Sequence, residues 1–151
     1  MRSVAGDDRA LVCRVGGRLC AIPLQNVVET MRPLPAAPVA DAPPFVLGLA
    51  LIRGAPMPVV DLGSLLSGQL TSPGRLVTIR LGDQRRVALA VDQVIGVRPI
   101  PSRALEPLPP LVNAAAGEVV DAVGALDAEL LLVLRETLLI PDQALGTAAS
   151  P

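Results

Sequence analysis

Apolar residues along this chain fall in short runs, each cut by glycine, proline or charge before it reaches the length of a long helix. ALVCRV and RLCAI flank Gly16-Gly17, and two glycines suit a two-residue turn whose central positions both need positive φ, so this spacing predicts a β-hairpin. With Val15 set opposite Arg18, Cys13 falls opposite Cys20. After Pro23 the chain opens as a helical turn and then extends from Val27 to Arg32, because its β-branched pair and alternating polar residues favour a strand. Residues 33–44, rich in proline and alanine, read as loop. VLGLALI and APMPVVD, joined by Arg53-Gly54, form a second hairpin candidate, and Asp61 is placed to cap a single helical turn over DLGSLL.

SGQLTSPG reads as loop, and RLVTIRL, RRVALAVD and QVIGVRPI then read as three consecutive strands, with GDQ turning between the first two. The proline-rich PIPSRALEPLPP breaks the pattern. EVVDAVGALD and ELLLVL form a last strand pair, RETLLI a short helix, and the small-residue tail is expected to be disordered. About ten short strands, in a chain whose 16 prolines leave little room for long helices, predict an all-β sandwich or barrel. At 151 residues one folding unit is expected, and no repeat at a fixed period points to a solenoid.

Composition sharpens this picture. The chain is 51% hydrophobic but only 1% aromatic, so its core must be built from Val, Leu, Ile and Ala. No run approaches the roughly 20 apolar residues of a spanning helix, and the N-terminal MRSVAGDDRALV carries two aspartates where a signal peptide needs its apolar segment. A soluble, cytoplasmic protein is expected, with no direct membrane insertion. Thirteen arginines against 14 acids leave a net charge of -1, and Phe45 is the single aromatic residue, so neither a basic field nor a stacking platform for nucleic acid is present.

Candidate chemistry is sparse. There is no histidine for acid-base work and no paired-carboxylate motif; Asp61 and Asp92 each close an apolar strand, where capping is the simpler role. Ser64, Ser67, Ser72 and Ser102 lie in no nucleophile elbow, and the glycines make no phosphate loop. Two cysteines without histidine fall short of a zinc site; facing each other they would form a disulfide in an oxidising compartment, but without a signal peptide they read as small core thiols. No enzyme, cofactor or metal is therefore expected. Arg53 is the residue left over: an exposed turn residue, or a five-donor fork held out on a rigid β scaffold for a protein partner.

Taken in order, GGRLCAIPLQNVVETM, PPFVLGLALIRGAPMPVVDL, RRVALAVDQVIGV and GALDAELLLVL together resemble the CheW family of chemotaxis adaptor proteins. The resemblance spans residues 9–142, leaving flexible ends at 1–8 and 143–151. It implies two small five-stranded, SH3-like β-barrels sharing an apolar core, and a non-enzymatic adaptor. Its implied partners are the cytoplasmic tip of chemoreceptors (methyl-accepting chemotaxis proteins) and the regulatory domain of a CheA-type histidine kinase. Recruitment to membrane-associated receptor arrays follows.

Carried over by position, Val27 and Glu29 match the family's receptor-contact strand. Gly48 opens its G-x-x-N-x-R-G motif, and Arg53 is that motif's arginine, implicated in receptor and kinase contacts. Leu76, Val94 and Val97 match apolar positions lining a groove between the lobes. Three residues depart from the pattern: Leu51 replaces the motif's asparagine, Gly63 replaces the arginine of DLR, and Cys20 replaces an aromatic before AIP. They leave open a receptor-only scaffold of a divergent pathway, such as twitching or development; a separate rival, a small-molecule-binding barrel, would need a concave pocket with convergent polar groups.

Overall fold

The computed structural model describes residues 9–69, 71–82, 85–101, 105–107, 120–127 and 129–134. Two strands open it, β1 (Arg9–Val15) and β2 (Arg18–Pro23), followed by a 3-10 turn over Leu24–Asn26 and β3 (Val27–Met31). Then come β4 (Val46–Ile52), β5 (Ala55–Asp61), α1 (Leu62–Ser67), β6 (Arg75–Leu81) and β7 (Arg85–Val91). The last strands are β8 (Gln93–Pro99), β9 (Glu106–Pro107), β10 (Val120–Leu126) and β11 (Glu129–Leu134). The turn expected at GDQ falls partly, and the helix expected at RETLLI and both chain ends wholly, outside the described residues.

These strands form two sheets. One runs β8-β1-β2-β11-β10-β9 and the other β3-β6-β7-β5-β4. The five-plus-five expectation becomes six plus five through β9, which is two residues long. The first lobe is discontinuous: its opening hairpin is joined in parallel to β11, Leu19 facing Leu131, while β3 to β7 make the second lobe in between. Of the three consecutive strands expected after residue 74, β6 and β7 pair with each other, but β8 crosses to the first lobe and pairs with β1.

Both predicted hairpins form, the second with a left-handed arginine that the sequence reading did not foresee. Gly16 and Gly17 take φ 56° and 81°, which brings Cys13 opposite Cys20, and Arg53 and Gly54 take φ 53° and 79°. Both are two-residue turns with positive φ at each central position, matching the twist of the flanking strands.

Period-2 alternation sends each strand's two faces to different layers. Leu11, Cys13 and Cys20 of the first lobe meet Val60, Ile79, Leu89 and Val91 of the second in a shared layer. The opposite faces turn inward, packing Ala10, Ala21 and Ala122 in one lobe and Ala50, Ala88 and Ala90 in the other. In the two interiors these alanines interleave with branched residues such as Leu19, Leu131, Val59 and Leu76, and the shared layer is mostly branched, which is how a core nearly without aromatics fills its space.

Both cysteines are free and buried in the shared layer, where desolvation pushes each thiol up to about 12. A thiol-specific reagent is expected to label neither in the native protein and both after denaturation, because only the thiolate reacts. Rapid native labelling would show that the shared layer opens.

The second sheet rolls until its edges approach each other. Leaving β3, the chain returns along β4, where Ala37 and Leu49 exchange two backbone hydrogen bonds of 2.8 and 2.9 Å. Gly48 permits this approach: it takes φ 142°, and a Cβ there would collide with the carbonyl of Ala37. Gly48→Ala is expected to cost about 2 kcal/mol in urea denaturation, through backbone strain and loss of that bridge. An unchanged midpoint would mean that the 33–44 segment yields freely.

Candidate functional site

The second lobe's inner face changes character toward one end. Leu76 and Ala90 pair in its apolar interior, Thr78 and Ala88 form the next row, and Arg80 and Arg86 the row beyond, at the mouth. A bulge between Val27 and Glu29 turns Glu29 toward the same face, opposite Thr78, whose hydroxyl donates to the Glu29 carbonyl at 3.3 Å.

Arg53 reaches across this mouth from the β4–β5 turn. Its Nε donates to Glu29 Oε2 at 3.0 Å and its Nη2 to Oε1 at 2.6 Å, a two-pronged pair that ties the β4–β5 turn to edge strand β3. These hydrogen bonds hold the Glu29 carboxyl below its ordinary range, helped by the charges of Arg53 and Arg86. The Arg53 side chain remains 77% exposed. Beneath the pair lies an open cleft of about 450 Å³, with Val28, Ile52 and Met57 as its apolar wall.

The structure thus brings together two of the sequence-derived candidates, Glu29 and Arg53. Val27, one bulge away, packs partly against the shared core, and Gly48 is buried under Ala37. Leu76 corrects the groove reading: it is 2% exposed, inside the second lobe rather than between the lobes, because its strand position faces the barrel interior. Val94 packs partly against the shared layer, and Val97, 44% exposed, lies further along the first lobe's edge strand β8.

Sequence reasoning missed Arg80, Arg86 and Thr78. The available signal was the inward register of RLVTIRL, where alternation runs Leu76, Thr78, Arg80 from apolar to charged.

The departures from the family pattern also have places. Leu51 stands 71% exposed beside Arg53, facing Pro56 across the hairpin. At Gly63 a Cβ would run into the Thr71 side chain, so no arginine fits there in this arrangement. Among the described residues, no three metal-ligating side chains gather, and no helix is long and apolar enough to cross a membrane.

Comparison with known proteins places these features. The CheW-like domain family model matches residues 9–144. The chain is 24% identical to the chemotaxis protein CheW of Rhizobium meliloti, covering 91% of this chain and 90% of that one. It is 34% identical to protein FrzA of Myxococcus xanthus, over 85% and 84% of the two chains. It is also 33% identical over 106 residues to the chemotaxis protein CheA of Cereibacter sphaeroides, covering 64% of this chain and 14% of that larger protein. The scaffolding protein TtCheW of Thermoanaerobacter tengcongensis shares the fold at a TM-score of 0.73 and 21% identity, over 86% of this chain and 90% of that one. A family model spanning nearly the whole chain, with relatives matched over most of their length, shows that this protein belongs to the CheW-like domain family.

Proposed function

We propose that this protein is a non-enzymatic coupling adaptor of a chemosensory array, joining the cytoplasmic tip of chemoreceptors to the regulatory domain of a CheA-type histidine kinase on the cytoplasmic side of the membrane. One observation carries the reading: a family-motif arginine stands exposed at a hairpin tip, its fork fixed by Glu29. Nε and Nη2 serve Glu29, which leaves Nη1 for an incoming acceptor. Likeness to a segment of a CheA chain supports a kinase partner, because domains of one family can pair through related surfaces. Val27, Glu29 and Arg53 are assigned to the receptor face, and Val94 and Val97 to a second, apolar contact along β8. Signalling then requires that the adaptor bind two receptor states with different affinity.

Calorimetric titration with the receptor tip fragment and the kinase regulatory domain encoded in the same genome tests this. A dissociation constant in the micromolar range, about -8 kcal/mol, is expected for each. Binding to the receptor alone would support the receptor-only scaffold, a reading favoured by Leu51 and by the lack of room for a side chain at Gly63.

A further inference from the structure

Arg80 and Arg86 sit directly opposite each other on β6 and β7, both exposed. Like charges in facing positions of an antiparallel pair repel, and no packing requirement calls for two arginines in that row. Arg80 gives one donor to the carbonyl of Gln25 at 3.2 Å. Arg86 makes no hydrogen bond or ion pair among the described residues, although Glu29 feels its charge. With Arg53, three guanidiniums surround a cleft that holds a single carboxylate, already engaged.

We propose that this arginine-rimmed mouth is a docking site for an acidic polypeptide segment, carrying carboxylates on Arg80 and Arg86 and an apolar side chain against Ile52 and Met57. The proposal rests on the adaptor reading and names the chemistry of the segment that meets Arg53. One feature selects an acidic peptide over a phosphate or nucleic acid: the wall is apolar, which suits a side chain rather than a sugar or water shell. Planar guanidiniums receive carboxylates in two-pronged fashion, so facing forks recognise closely spaced acids.

The direct test follows the side-chain Nε–H resonances of Arg80 and Arg86 by NMR during titration with the peptide acetyl-Leu-Glu-Glu-Leu-amide, its Gln-Gln analogue and inorganic phosphate. Shifts with the acidic peptide and none with the analogue uphold the proposal. No shift with any probe, or larger shifts with phosphate, overturns it.

The second arm uses the receptor tip and kinase fragments with an Arg80→Gln/Arg86→Gln variant. Its melting temperature is expected to match or exceed that of the parent, since a repulsion is removed. Its affinity for the partner that requires Arg53 is expected to fall about tenfold at low salt, with the difference shrinking as salt screens the site. Equal affinity and equal salt dependence overturn the proposal and leave the adaptor reading standing. If the parent protein binds neither fragment, the adaptor reading fails and the NMR titration alone decides the chemistry of the mouth.

Discussion

Asp61→Ala is expected to remove about 3 kcal/mol from the unfolding free energy, measured by urea denaturation. The Asp61 carboxylate is completely buried. Its Oδ1 accepts from the Ser64 amide at 3.1 Å, capping α1, and from the Thr71 hydroxyl at 3.0 Å, while Oδ2 accepts from the Thr71 amide at 3.0 Å. Loss of the cap costs about 1 kcal/mol, and amides left without acceptors add the remainder. Asp61→Asn keeps acceptor capacity on one atom and should lie between the two. A loss below about 1 kcal/mol would show that the loop after α1 settles without the carboxylate. The same grip accounts for Gly63, because Thr71 lies over the position where a side chain would emerge.

Arg53→Glu should weaken receptor-tip binding by about a hundredfold or more while leaving the melting temperature nearly unchanged. An exposed ion pair adds little to stability, and arginine and glutamate are similarly strained at φ 53°, so the backbone contribution largely cancels. Binding suffers twice, since the charge offered to the partner is reversed and the fork is gone. Arg53→Lys separates the two effects: it retains charge without the fork and should recover only part of the affinity. Undiminished binding by Arg53→Glu would move the receptor contact elsewhere, and an unfolded variant would make Arg53 structural.

Local chemistry was legible in the sequence and distant pairing was not. Gly16-Gly17 dictated a turn, the turn set the register, and the register set Cys13 against Cys20. Asp61 was readable as a cap because aspartate before an apolar turn reaches the amide three residues on; its hold on Thr71 crosses a loop without periodic signal. Glu29 and Arg53 were each readable as candidates, yet their ion pair depends on the sheet rolling its edges together. Leu76 was misplaced because an apolar strand residue reads the same whether it faces a groove or a barrel interior. The parallel pairs β2–β11 and β5–β7 left no trace in the alternation, which is identical for a strand's every possible neighbour.

The interleaved path of the chain orders events during synthesis. The second lobe is continuous in sequence, so all its strands have emerged once β7 is made, although β3 pairs with β6 across β4, β5 and α1. The first lobe waits, because β2 meets its parallel neighbour only when β11, near the chain's end, has been made. Until then the first hairpin presents an unpaired edge, open to the wrong strand or to another nascent chain. Truncation before Glu129 therefore removes the central seam of the first lobe, and the shared layer loses Leu132 and Leu134 with it.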